Sequence, residues 1–490
     1  MLNMLQIKDT HKLFEFRNYF NSPTQAFTHL INIFSVFSSK SITKDIFGFK
    51  ANGYSYTGLL QMLILMPFLG AKNIHTLFNT HYQIFYKGKK DCLYDTLRNP
   101  DINWRRLLLN FAKRFIKKVN ENSICDGLTF FIADDSDLEK RTPFFESLSR
   151  IFNHVTRRHV FAYKVLTLGY SDGKSFIPLD FSLHNEKGKK KNYGLTRKQR
   201  KEQYKKDRNP ASYGAKRKKE VRVKKGKNLV KMVKRAVKHG IIAKYLLTDS
   251  WFLSENMISE IRKIKNGAIH ILSMCRMDIR KYSCEGGEFN AKELLKRKKR
   301  NRKNIKRSKK YKVYYVEVAV EYKGFKLKLF FTRLTKRSKW RLLVTTNTSL
   351  TFTEAYELYT NRWAIEVFFK ECKQYLGLGK NQSRDFDAQI ASTTICFIQY
   401  TILALYKRFG DYETIGGIFE GCKSDITEQI FSDRIKALLL ELIEILVNVM
   451  DLSVEMEKII PAIIEQIDVD SKISLIFSTH VDIGGRKVAA

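Results

Sequence analysis

Five polar residues, Tyr359, Arg362, Glu366, Lys370 and Lys373, recur at intervals that one helix would gather into a stripe about 80° wide. Leu358, Ile365, Phe368, Phe369 and Leu376 fall on a separate apolar face suited to docking on a sheet. A carboxylate among cations beside such a face suits phosphate chemistry, although a solvated helix with ordinary i,i+4 Glu–Lys pairs shows the same pattern. Two further carboxylates tip the balance. Asp135 and Asp249 each follow a short apolar run, Leu128–Ala133 and Ile241–Leu247, where a strand would end and a side chain could project from a sheet edge. Each alone suits a turn or a helix cap, but two such aspartates with a helical glutamate form a rarer set. Phosphodiester cleavage needs one oxygen activated and another stabilised as it departs, and two Mg²⁺ ions about 4 Å apart do both. Mg²⁺ takes oxygen ligands and shares its shell with phosphate and water, so a few carboxylates suffice. Cations beside Glu366 would hold a phosphate backbone in place.

The chain as a whole agrees. It has 490 residues, with 89 Lys and Arg against 49 Asp and Glu, a net charge of +40. Such an excess attracts polyanions at physiological salt. Apolar residues at 44% and aromatics at 13% are enough for packed cores, which excludes a disordered tail and sets the chain apart from small basic ribosomal or chromatin-like proteins. The length suggests two to four structural units. The seven cysteines are scattered with no CxxC pair, so neither a zinc site nor a disulfide framework is indicated. The N-terminus lacks a signal-like apolar core, and the most apolar run, Leu59–Gly70, is too short to span a bilayer by the roughly 20-residue rule. These features lead us to expect a soluble, cytoplasmic protein with no membrane partner.

The elements needed to position the carboxylates can be read in outline. Residues 1–120 alternate helical patterns with breaks, as in Ala26–Phe37, Tyr56–Leu69 and Trp104–Val119, whose basic faces suit DNA binding or plain packing equally. From about residue 125 the period shortens. Strands are predicted at Leu128–Ala133, Val160–Gly169, Ser175–Leu183, Ile241–Leu247 and Ala268–Cys275, with helices at Val230–His239 and Glu255–Lys265. This order predicts a mixed α/β core. The basic stretch Lys187–Lys227 reads as a loop or excursion that could track DNA. A second basic block, Glu293–Lys312, leads into two strands, Lys312–Tyr322 and Phe325–Leu334, joined by a Lys323-Gly324 hairpin turn. A strand at Leu342–Thr346 precedes one long helix from about Thr353 to Leu376, and the remainder to residue 490 reads as mostly helical, acidic past residue 410.

Tyr359, Arg362, Glu366 and Lys373 match a Tyr-(2)-Arg-(3)-Glu-(6)-Lys spacing, and in this the chain resembles the insertion-sequence DDE transposases that carry that signature. The resemblance covers roughly residues 125–400. It implies a ribonuclease H-like mixed-sheet catalytic core interrupted by a β-rich insertion, flanked by helical N- and C-terminal regions. The expected division is a helical region at 1–120, the core at 121–275 and 341–400, the insertion at 276–340, and a helical region at 401–490 as a dimerisation surface. It further implies Asp135, Asp249 and Glu366 as ligands of two Mg²⁺ ions (or Mn²⁺), with Asp134 the alternative to Asp135. Asp135 is preferred because the family's ligand directly precedes a Thr or Ser. Tyr359, Arg362, Lys370 and Lys373 would contact DNA, and Trp340 would stack on a flipped base. The implied activity is cut-and-paste transposition: binding of terminal inverted repeats in double-stranded DNA, metal-dependent cleavage and strand transfer, with a hairpin second-strand route and a homodimer in the DNA complex. Two other readings stand beside it, a ribonuclease H-like nuclease without strand transfer and a catalytically inactive nucleic-acid-binding derivative.

Overall fold

The computed structural model describes residues 46–47, 54–68, 71, 73–80, 89–123, 127–410 and 412–424. The helix expected at Ala26–Phe37 and most of the acidic C-terminal region lie outside them. The chain divides into two compact units, one of Met1–Leu107, Gln374–Gly377 and Asp387–Ala490, the other of Leu108–Lys373 and Leu378–Phe386.

The first unit is helical where it is described. Helices α1 (Tyr56–Leu65), α2 (Ile74–Thr80) and α3 (Lys90–Arg98) precede α4 (Trp104–Asn122), which from Leu108 on belongs to the second unit. Ser55 caps α1 by accepting from the Gly58 amide, and the apolar run it starts is buried almost throughout. Its partner in this unit is the long C-terminal helix Phe386–Phe409, where Gln399 donates to the Leu63 and Ile64 carbonyls at 3.3 and 2.8 Å. That helix is long and apolar enough to cross a membrane, but 94% of the stretch concerned is buried inside the protein, as suits a core helix.

The second unit is built on one mixed sheet. Strand β1 (Phe130–Lys140) pairs antiparallel with β3 (Arg158–Ser171), which pairs with β2 (Ser149–Asn153) over its first half and β4 (Phe176–His184) over its second. On its other side β1 pairs in parallel with β5 (Tyr245–Thr248), and β5 in parallel with β6 (His270–Cys275). The order β4-β3-β1-β5-β6, antiparallel then parallel, is consistent with a ribonuclease H-like transposase core. Beyond β6 the same sheet continues through β12 (Arg341–Thr345), β11 (Phe325–Arg333), β10 (Tyr314–Tyr322), β7 (Lys281–Cys284) and β8 (Gly287–Asn290), and the short β9 (Lys306–Arg307) pairs with β10. The Lys323-Gly324 turn between β10 and β11 forms as its residues suggest, both with positive φ, 50° and 80°.

Three helical segments position the chemistry. The stretch expected as a loose basic loop instead folds into α5 (Arg197–Lys201), α6 (Tyr213–Glu220) and the start of α7 (Lys225–Lys238). Buried ion pairs explain the difference: Arg208, 3% exposed, meets Glu146, 2% exposed, at 2.6 Å, and Lys206 reaches Asp385 at 2.9 Å. Helix α7 buries Leu229, Val230, Met232 and Val233 and sends its lysines outward, and it packs on β3, β4 and α8 (Glu255–Arg262). After α9 (Ala291–Arg300) the expected single helix is two, α10 (Phe352–Thr360) and α11 (Trp363–Gln374). Between them the hydrogen bonds tighten to i→i+3, with the Arg362 amide on the Tyr359 carbonyl and Ala364 on Asn361. Helix α11 docks through Ile365, Phe368, Phe369 and Cys372, with Phe368 against Phe176 of β4 at 5.1 Å between ring centroids.

Candidate catalytic centre

The apolar run Phe130–Ala133 is fully buried, as the core of a sheet requires, but β1 does not end there. It stays paired with β3 from Phe130 opposite Ser171 to Lys140 opposite Phe161. The aspartates therefore lie in mid-strand, not at the strand end where Asp135 was expected. Successive side chains in a strand point to opposite faces, so Asp134 and Ser136 share one face and Asp135 and Asp137 the other.

The face of Asp134 carries most of the expected site. Arg362 Nη1 donates to Asp134 Oδ2 at 2.8 Å, and its Nη2 donates to the Glu366 carboxylate one turn further along. Lys373 Nζ donates to Ser136 Oγ at 2.8 Å. Tyr359 OH donates to the Thr248 carbonyl at 3.2 Å, fixing the end of α10 over the end of β5. Asp249 follows directly, and because Ala133 and Thr248 are partners in the parallel ladder, Asp134 and Asp249 leave that pair side by side. Ser273 Oγ donates to the carbonyls of Thr248 and Asp249 at 3.1 and 3.3 Å, which secures this strand end.

Asp135 is placed elsewhere. On the opposite face it takes an ion pair from Lys225 at the start of α7, and Asp137 beside it takes Lys164 at 2.5 Å. His184 lies near this group, 2.7 Å from Ser182 Oγ. Burial, with the Lys225 charge adding to it, pushes the His184 imidazole down to about 4. The pleat thus puts Asp135 on the face away from the Arg362–Glu366 pair and Asp134 on the face that meets it.

The electrostatics follow. Burial pushes the Asp134 carboxyl up to about 6; the Asp135 amide and Arg362 pull it down, and the charges of Asp135 and Asp249 push it further up. Burial opposes the Arg362 charge, yet Tyr359, Asp134 and Glu366 together hold its guanidinium above the ordinary value. Burial likewise raises the Tyr359 hydroxyl and lowers the Lys373 ammonium.

Among the described residues no three acidic, His or Cys side chains converge as a ready metal cage. The donor chemistry nevertheless fits Mg²⁺: hard carboxylate oxygens from Asp134, Asp249 and Glu366, two of them now held by a guanidinium, itself a cation that answers their charge. Asp249 has no ion-pair partner among the described residues, so it is free to accept one.

The remaining expected residues are dispersed. Lys370 is exposed on α11 with no acidic partner among the described residues. Trp340 is half-buried, with the Arg333 guanidinium 4.5 Å from its ring centre. The sequence reading passed over Trp251, two residues after Asp249, which is 71% exposed. Its closeness to an aspartate was the one available signal.

Residues 212–402 match the family model described as Transposase DDE domain. The match takes in Asp249, the whole Tyr359–Lys373 constellation and the sheet between them, and begins beyond β1. Over this stretch, which is less than half of the chain, the protein is similar to transposase DDE domains. No curated protein matches the chain.

Proposed function

We propose that the protein is a DNA transposase that cleaves and rejoins DNA at the ends of its element, with Asp134, Asp249 and Glu366 as the ligands of two Mg²⁺ ions. The observation that carries this reading is the meeting of mid-strand Asp134 with Asp249, at the end of the neighbouring strand, and the Arg362–Glu366 pair, with Asp249, Arg362 and Glu366 inside the stretch that matches a transposase domain. When bound, the metal would activate the attacking oxygen and stabilise the departing one.

Hydrolysis adds water across a P–O3′ bond and leaves a 3′-hydroxyl and a 5′-phosphate. In joining, that hydroxyl attacks a phosphate of the second strand, and the displaced 3′-oxygen takes up the proton. Opening of the end through a hairpin is the route we adopt for the second strand. Arg362 has two competing uses, since the fork that now bridges two carboxylates also matches a phosphate. On DNA it would turn to the phosphate and release Asp134 and Glu366 for metal. Lys370 and Lys373 would hold neighbouring phosphates, Tyr359 would keep the strand end in register, and Trp340, once clear of Arg333, would stack on a flipped base.

We assign DNA binding to residues 1–120, the insertion to 276–340 and pairing of protomers to 401–490, because two ends must be held together. The test is cleavage of a plasmid bearing the element's own inverted repeats, in Mg²⁺ and in EDTA, by wild type and Glu366→Gln. Mg²⁺-dependent nicking lost in the variant with DNA binding retained supports the proposal. Equal cleavage by both overturns the assignment. Nicking with no joining of precut ends would indicate a nuclease, and binding with no cleavage by wild type an inactive derivative.

A further inference from the structure

Trp251 is the most exposed of the four tryptophans and stands two residues beyond Asp249. It is 71% exposed, and its one ring contact among the described residues is the Arg276 guanidinium, 3.4 Å from the ring centre. The pair is built by the sheet. Thr248 of β5 and Ser273 of β6 are ladder partners, joined also by a 2.8 Å hydroxyl hydrogen bond, and Trp251 and Arg276 each stand three residues beyond them. The turn that carries Trp251 is anchored on both sides. The Phe252 amide closes on the Asp249 carbonyl at 3.2 Å, Phe252 and Leu253 are each 5% exposed, and Arg280 donates to the Leu253 carbonyl at 3.1 Å. The surroundings therefore hold the indole out, although burying it would have stabilised the fold. Arg280 is committed to Asp278, whereas Arg276 is exposed and has no acidic partner among the described residues.

A fixed, exposed indole backed by an uncompensated guanidinium is a stacking platform for a planar, electron-rich group next to a phosphate. Two residues span at most about 7 Å. That is one to two nucleotides along a strand at about 3.4 Å each, so whatever lies on Trp251 adjoins the phosphate at Asp249. We propose that Trp251 and Arg276 form a nucleotide-binding site that takes an unpaired base of the DNA end, one or two nucleotides from the scissile phosphate. A base still paired in the duplex has both faces covered by its neighbours, so the site selects a frayed or single-stranded nucleotide. The placement rests on the catalytic reading above.

The test is equilibrium binding of the full chain, in EDTA, to three fluorescein-labelled probes: a blunt duplex, the same duplex with a three-nucleotide 3′ overhang, and one whose overhang is abasic. Trp251→Ala is expected to weaken binding of the base-bearing overhang about tenfold, the scale of one base–aromatic stack. It should leave the blunt and abasic probes within twofold, while Trp251→Phe retains most of the affinity. Thermal melting of the variants checks the fold, which an exposed ring leaves intact. Equal loss on all three probes, or no loss on the base-bearing overhang, overturns the site. Since no cleavage is read, failure of the catalytic proposal would show separately, as wild-type protein that keeps the overhang preference and does not cut.

Discussion

Arg362 Nη1 lies 2.8 Å from Asp134 Oδ2, joining a helix break to a mid-strand carboxylate 228 positions earlier. The same guanidinium holds Glu366, so one side chain ties together two of the three groups assigned to metal. Asp134 and Arg362 are only 21% and 17% exposed at their side chains, so their pairing is partly shielded from water. Under the proposed function, the bridge would keep two carboxylates in place before DNA and metal bind.

Replacing Arg362 separates its two uses. Arg362→Ala is expected to reduce end cleavage at least about a hundredfold, the scale of losing one preorganised donor to a reacting group. Mg²⁺ binding, followed as thermal stabilisation without DNA, should be no weaker than in wild type, because a competing cation has gone. Arg362→Lys should recover little cleavage, since an ammonium cannot span both carboxylates as the planar fork does. Weaker Mg²⁺ binding in Arg362→Ala would show that the arginine is structural for the metal site.

The two adjacent aspartates should behave oppositely. Asp134→Asn is expected to abolish measurable cleavage while leaving DNA binding intact. Asp135→Asn should leave cleavage within a few-fold and lower stability by about 1 kcal/mol, through the loss of its partly exposed pair with Lys225. Cleavage assays and denaturant titrations of the two variants side by side decide it. An inactive Asp135→Asn with an active Asp134→Asn would restore the choice made from sequence.

The basic excursion should be held by its acids. Glu146 accepts from Arg208 and Lys218 and, through Oε2, from the Phe386 amide at 3.2 Å. Glu146→Gln leaves Arg208 without its full partner in a buried place, at a cost on the order of 3 kcal/mol. Chemical denaturation should show this, and proteolysis should find residues 187–227 newly accessible. Glu260→Gln, which breaks only the exposed pairs with Lys234 and Lys263, is the control and should leave the midpoint unchanged.

Stability should depend on pH through His184. Burial depresses its folded value to about 4, against an ordinary 6.5. Between these values the unfolded chain binds the proton and the folded chain does not, so this stability is present above about 6.5 and is lost as pH falls toward 4. At about 1.4 kcal/mol per unit the full loss is roughly 3 kcal/mol. A denaturation series from pH 7.5 to 4 should show it in wild type and show less of it in His184→Gln. Identical pH profiles for the two would count against the assignment.

The sequence by itself determined the elements whose side chains declare a period or a turn. Strands β5 and β6, the β10–β11 hairpin with its Lys323-Gly324 turn, and the apolar face of α11 all follow from local pattern, because burial must repeat with the geometry of the element. The Tyr359, Arg362, Glu366 and Lys373 spacing also survives a helix break that the pattern did not reveal, because the tightened turn still leaves Arg362 within reach of Tyr359 and Glu366. Tertiary structure alone decided which of Asp134 and Asp135 faces the Arg362–Glu366 pair. Both are acidic, so composition carries no phase, and the phase is set by a ladder with β3 that holds β1 extended to Lys140. It also decided that the lysine-rich stretch after residue 187 would fold, since its organising partners, Glu146 and Asp385, are remote in sequence. Trp251 took its exposed place for the same kind of reason: a strand end paired with Ser273, and Arg280 on the Leu253 carbonyl, hold its turn, and both partners are remote from it in sequence.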